Sequence, residues 1–365
     1  MSEQKRKLLL TVSGLGAVLT FASLTALAVA RSTFARLEPS QSANREIAEA
    51  LGWMRNTPKN TANFEYVMTA RVRLLVFWAG KDDVGGGYIR RGYQADDRRQ
   101  ESIQVLFGSD PAKAPKAINR WGAGREVLWH KDAVANFSDG GADDVVASAF
   151  FGFMKSSNGK SAAEMQQELK KEKDHGEHLF TGILSRVDSG RAVSVTVPLS
   201  SQTDFNLHQY SEAEPLIFEK LSKFEDRPVR ELRDFEGCAR ASEFLATVAQ
   251  LMDAALKGQT QPQSLCYVYN AEVNTLTLVR VNPVAKLAVQ VKSSQGGMMV
   301  DKAYTDLLEA ELFSTSAKTG KRSEFTITTG TKGELRGVPV QIRYQPNWWF
   351  QVVLNLRPET LLAAK

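Results

Sequence analysis

Four histidines, two cysteines and the aspartate pairs Asp82–Asp83 and Asp143–Asp144 are the residues of this 365-residue chain with the most chemistry to offer. Their spacing decides what each can do. His175 and His178 stand at i and i+3 and could share a helix face, but the H-E-x-x-H and H-x-x-E-H patterns that hold zinc beside a general base are both missing. Set in a run of Lys and Glu, they read as solvent-facing residues at a helix end, where a cation suits the dipole. His130 and His208 are isolated. Gly159, Lys160 and Ser161 end like a phosphate-binding loop, yet Met154 stands where that loop requires glycine, so Ser161 reads as a helix N-cap. Gly85, Gly86 and Gly87 lack the dinucleotide spacing, and no G-x-S-x-G elbow exists. Asp82 with Asp83, and Asp143 with Asp144, could bind a cation or act as paired carboxylates, but turns and caps account for both more simply. The pattern predicts no metal site, no cofactor and no catalytic constellation.

Cys238 and Cys266 are what an oxidising compartment allows as one disulfide, the other reading being two buried thiols. They lack the paired short spacings of a zinc site. Aromatic residues are the remaining candidates. Phe77 with Trp78, and Trp348, Trp349 and Phe350, concentrate apolar area at strand ends. Core packing is one account of them. The sharper one is a concave pocket or exposed patch for a lipid-like ligand or a partner chain, and these five are the predicted ligand-binding residues.

The elements that must position them are mostly strands. Phe64, Tyr66, Met68, Ala70, Val72, Leu74, Val76 and Trp78 share one face of a long strand, with Leu75 and Phe77 making its far end apolar on both faces and so predicted to run under other structure. Gly80 to Gly87 reads as a turn. Further alternation to His130 predicts an antiparallel meander. Val145 to Met154 fits a helix behind Asp143, and Ala162, Met165 and Leu169 a second one. A hairpin follows over 179–199. The strongest helix signal is the stripe Phe244, Leu245, Val248, Leu251, Met252, Ala255 and Leu256, with Ser242 near its start and Gly258 past its end. Alternation in 338–344 and 348–356 predicts a C-terminal hairpin. The expected fold is α+β: mainly antiparallel β-sheets, as meanders and hairpins, with a few packed amphipathic helices. Expected boundaries are 1–35, a signal peptide or membrane anchor; 36–200, an antiparallel β domain with a helical insertion at about 143–177; and 201–365, an α+β domain with its long helix at about 242–257.

Lys5, Arg6 and Lys7 precede an uncharged run from Leu8 to Ala30 that ends in an A-x-A site, the order of a secretory leader; at this length it could also stay as an anchor. The same segment carries much of the basic charge. Its Lys5, Arg6, Lys7 and Arg31 stand against Glu3 alone, so cleavage would lower the net charge from +5 to +2. The Arg90, Arg91, Arg98, Arg99 cluster is interrupted by Asp96 and Asp97, and without a basic field nucleic-acid binding is excluded.

YVMTARVRLLVFW at 66–78, DDVGGG at 82–87, INRWG at 118–122 and GVPVQIRYQPNWWFQVVLNL at 337–356 together resemble an uncharacterised family of exported bacterial proteins. The resemblance covers most of the chain after the leader and brings no assigned activity. At the level of fold the pattern is similar to the half-barrel carriers of outer-membrane lipoproteins. The expectation is an exported, non-enzymatic binding or envelope-assembly protein, periplasmic or extracellular, whose partner is an apolar small molecule or an envelope protein. Membrane contact is expected only through an uncleaved N-terminal segment. The alternative is a hydrolase built from scattered loops, using His208 or the Asp82 and Asp83 pair; a third reading is a structural subunit presenting a sheet edge.

Overall fold

Period-two alternation becomes one hydrogen-bonded sheet. The computed structural model describes residues 41–55, 58–59, 61–74, 77–94, 97–110, 112–114, 121–130, 144–153, 180–188, 191–198, 229–233, 238, 241–269, 272–292 and 298–358. The N-terminal leader and the second helix near 162–169, both predicted, with His175, His178, His208 and the stretch around residue 200, lie outside these residues. Helix α1 (Gln41–Arg55) precedes eight strands: β1 (Thr61–Leu74), β2 (Phe77–Gln94), β3 (Asp97–Ser109), β4 (Trp121–Trp129), β5 (Asp144–Phe153), β6 (Phe180–Asp188), β7 (Arg191–Pro198) and β8 (Val229–Arg233). A two-residue β9 (Ala241–Ser242) leads into helix α2 (Phe244–Leu256). The chain continues through β10 (Gln263–Tyr269), β11 (Glu272–Lys292), β12 (Met299–Ser316), β13 (Arg322–Gly330), β14 (Pro339–Asn347) and β15 (Phe350–Leu356). The sheet runs β8-β7-β6-β5-β4-β3-β2-β1-β15-β14-β13-β12-β11-β10-β9, so strands from both halves of the chain share it and the first and last strands meet at its centre. Every neighbouring pair is antiparallel except β9 with β10.

Side chains alternate across the sheet as the pleat requires. Met68, Leu354, Ile342 and Ile327 are cross-strand partners and form an inward row, while Thr69, Val353, Arg343 and Thr326 form the neighbouring outward row. The sheet coils around α2. One flank of that helix packs on β3, β4 and β5 through Ile103, Leu128 and Val145; the other packs on β10 to β13 through Tyr267, Leu276, Leu312 and Ile327. The two flanks of the sheet then touch each other, Val187 and Ala192 lying against Val268 and Val273. Helix α1 lies on the outer face of β4 to β8, with Ile47 and Met54 fully buried, each worth roughly 1.5–3 kcal/mol of gross burial.

Two adjacent polar side chains on β4 hold the two helices. The Arg125 guanidinium donates outward to the Met54 carbonyl at the end of α1 (2.8 Å) and to Ser102 Oγ (3.0 Å). Glu126 points inward and accepts from the Leu245 and Ala246 backbone N–H groups at the start of α2, both at 2.7 Å. A cation at a helix C-terminus is a favourable placement, and a carboxyl group accepting at an N-terminus satisfies N–H groups that have no partner within the helix. Glu243 is the formal N-cap, but it makes no side-chain capping bond, and neither does α2 draw on Ser242 as predicted; the cap comes from a strand more than a hundred residues away.

Three expectations are corrected. Residues 144–153 are strand β5, not a helix, laddered on both sides to β4 and β6. With Ala147 and Ala149 buried on one face and Val145 and Ser148 also buried, the strand has no wet face to mark its period. Gly80 to Gly87 is not a turn: β2 runs through it with a bulge, and the positive-φ residue is Asp83, at 55°. The three glycines serve close approach, since a Cβ on Gly87 would lie 1.8 Å from Leu106 O and one on Gly86 2.4 Å from Tyr66 O. Phe77 does not run under other structure. The chain reverses between Leu74 and Phe77, which pair with each other, and Phe77 is 58% exposed.

Candidate functional site

The inner face of the sheet is not filled by α2. Between the helix and β1, β2, β3 and β12 to β15 lies a cavity of about 640 Å³, within the range of small-molecule sites. Its walls are apolar. Met68, Val352 and Leu354 form the floor along the β1–β15 seam, Ile89, Val105 and Phe107 one side, Phe325 and Ile342 the other, and Val248, Ala249 and Met252 of α2 the roof. Helical spacing puts those three on the face that sheet residues leave uncovered, which is why they are only half-buried while Leu251 and Ala255 are fully buried.

One end of the interior is closed. Tyr66 stacks edge-on against the lining Phe107, with ring centroids 5.7 Å apart, and its hydroxyl donates to the carbonyl of the lining Pro339 (2.8 Å). Tyr304 of the long β11–β12 hairpin joins it, 2% exposed. Tyr344 belongs to both lining and surface, at 41% exposure, so the cavity reaches solvent at the other end.

Few polar groups face this space. Arg91 does, its guanidinium held by Glu101 (Nε to Oε1, 2.6 Å), and the other Glu101 oxygen meets His130 Nε2 at 3.0 Å. Burial pushes the Glu101 carboxyl up, but Arg91 and His130 outweigh it and hold the group below the usual carboxylate range. Asp253, bonded to Lys257 (2.7 Å), and the Tyr267–Ser314 hydroxyl pair (2.6 Å) mark the helix C-terminal side.

A second polar cluster lies beyond the cavity, at the α2 N-terminus. Glu126, Ser148, Ser185 and Ser194 are successive cross-strand partners on β4 to β7, all buried, and Glu243 lies over them, accepting from Ser185 Oγ (2.8 Å). Burial pushes Glu126 up to about 8 against the pull of its two backbone N–H donors; burial and the Glu126 charge push Glu243 well above its ordinary value. The pair therefore retains a proton near neutrality. With both residues at 0% exposure, it has no route to a substrate.

The five aromatics predicted as ligand-binding do come together, but at the rim and not in the cavity. Arg73 N–H donates to Trp349 O (2.8 Å), tying the β1–β2 turn to the β14–β15 turn, and Trp349 and Phe350 have ring centroids 5.8 Å apart. Phe77, Trp78, Trp348 and Trp349 are exposed. Cys238 and Cys266 are disulfide-bonded, with Cα atoms 5.9 Å apart, and the loop they close contains all of α2. Asp82 accepts from Thr69 Oγ1 (2.8 Å) and Asp83 pairs with Lys113 (3.4 Å), so the two side chains have separate partners. Sequence reasoning missed the cavity lining and the Glu126 and Glu243 pair. An adjacent Arg and Glu in the middle of an otherwise apolar strand was the one local signal of the latter.

No family model matches the chain, and no curated protein matches it. Among solved structures it is similar to a β-barrel-like protein from Brucella abortus, of the domain of unknown function DUF1849. The match has 10% identity and a TM-score of 0.39 over 81% of this chain and 95% of that one, and it concerns the fold alone.

Proposed function

We propose that the protein is an exported, non-enzymatic binding protein that shelters the apolar part of an amphiphilic molecule between α2 and the sheet. The observation that carries this reading is the apolar cavity of about 640 Å³, open at Tyr344 and closed at Tyr66. Leaving such a surface wet costs roughly 25 cal/mol per Å², a standing driving force for an apolar occupant. The polar groups at its edge, Arg91 above all, suit a ligand with one anionic or hydrogen-bonding end. Export is supported by the leader-like run from Lys5 to Ala30 and by a disulfide of the kind that persists in oxidising compartments.

Native mass spectrometry after mild extraction tests the reading. Wild type should carry a co-purifying apolar species, and Ala249→Trp, which fills the cavity from the helix side, should lose it while keeping its circular dichroism spectrum. An empty wild-type protein that also takes up no apolar fluorescent dye would overturn it.

A further inference from the structure

The end of the sheet at which the cavity opens carries an apolar surface that nothing among the described residues covers. Phe77 is 58% exposed, Trp348 68% and Trp349 46%, beside Trp78 and Val72. Monomeric soluble proteins rarely leave several large aromatics together in water. These sit on two hairpin turns made adjacent by the β1–β15 pairing, and the hydrogen bond from Arg73 N–H to Trp349 O fixes the turns at one level.

The charge around them selects a partner. From Tyr66 to Lys81 the chain holds Arg71, Arg73 and Lys81 and no acid; from Gly337 to Leu356 it holds Arg343 and no acid. The register places the start of β13 and the end of β12 at this same end, adding Lys318, Lys321 and Arg322 on the next hairpin. Asp83, Glu272, Glu324 and Glu309 pair with Lys113, Lys318, Arg322 and Arg343 and offset them, and Asp82 accepts from Thr69, so the net positive charge of this end comes from Arg71, Arg73, Lys81 and Lys321. Trp78 lies opposite Arg73 in the ladder, so indole and guanidinium share a face. Tryptophan at the level of the headgroups with lysine and arginine reaching the phosphates is how proteins seat on a bilayer.

The geometry points to the paired turns at Phe77–Trp78 and Trp348–Trp349 as a docking surface for an anionic lipid bilayer, placed beside the cavity mouth at Tyr344. This surface stands apart from the ligand reading, because the turns are exposed whether or not the cavity is occupied.

The test uses the full chain with large vesicles of phosphatidylcholine, with and without phosphatidylglycerol, and tryptophan quenching by brominated phosphatidylcholine. Residues 1–40 contain no Trp, so tethering by that run alone leaves the quenching signal dark. Wild type should be quenched on vesicles containing phosphatidylglycerol. The triple variant Phe77→Ser, Trp348→Ser, Trp349→Ser should lose the quenching and bind about tenfold more weakly or worse. Arg71→Gln with Arg73→Gln should weaken binding to the anionic vesicles only. Phe77, Trp348, Trp349 and Arg73 are exposed and Arg71 is half-buried, and an unchanged melting curve shows that the fold is kept. Equal quenching of wild type and triple variant would overturn the proposal, as would equal wild-type quenching on both vesicles, or a lipid-free dimer, seen by ultracentrifugation, that the triple variant abolishes. Ligand retention read in the same samples separates the two readings: the triple variant should keep its co-purified ligand, and Ala249→Trp should lose ligand but still be quenched.

Discussion

Two regions of this molecule depart in opposite directions from the rule that apolar groups go inside and charges outside. At the start of α2, Glu126 and Glu243 are fully buried; at the β1–β2 and β14–β15 turns, four large aromatics are in water. The buried acids have compensation within the chain, since two helix N–H groups hold Glu126 and Ser185 holds Glu243. The exposed rings are left uncovered by the described residues. An internal departure that is compensated locally belongs to architecture; one that is uncompensated directs attention to something outside the chain.

Substitutions can break that contrast. The largest effect is expected for Glu126→Ala, which leaves two buried N–H donors of α2 without partners and should cost about 2–3 kcal/mol, read as a lower denaturant midpoint. Arg125→Ala, which removes the outward half of the same clamp, should cost about 1–2 kcal/mol by the same measurement. A gentler probe is pH. Glu126 and Glu243 hold protons in the folded protein that the unfolded chain gives up above its ordinary value of 4.5. Their contribution is therefore complete below about that pH and is lost as pH rises towards about 8. The melting temperature should fall across this window, and Glu243→Gln, which needs no proton, should flatten the slope. A slope of the opposite sign would show that the pair is ionised in the fold. Last and smallest, Trp348→Ser with Trp349→Ser should move stability by no more than about 0.5 kcal/mol without lipid, as surface changes do.

How far the sequence disclosed this fold depends on what lay on each side of a segment. Strand β14 and the stripe of α2 were legible because each has one buried and one wetter face, so the period survives. Strand β5 was not, because α1 covers one face and the α2 side the other; Val145, Ala149, Phe150 and Phe153 then also satisfy helical spacing. The turn between Leu74 and Phe77 was hidden in an unbroken apolar run, since residues built for exposure at a tip have the same composition as residues built for a core. The aromatic rim was found by residue type, and the structure places it at the two turns and not in the cavity lining. The cavity was out of reach of linear reading, because its lining comes from β1, β2, β3, β10, β12 to β15 and α2, and only the coiling of the sheet brings them together.

The pairing of β1 with β15 has a kinetic consequence. Tyr66 and Leu356 are partners far apart in sequence, so the central seam closes only after β15 has been synthesised. Each flanking meander can assemble from neighbours in sequence, but joining them carries the loop-closure entropy of almost the entire chain, which makes late, slow docking of two half-sheets the expected rate-limiting event. A chain truncated before Phe350 would leave β1 and β14 as two raw edges facing each other, ready to recruit a strand from another molecule.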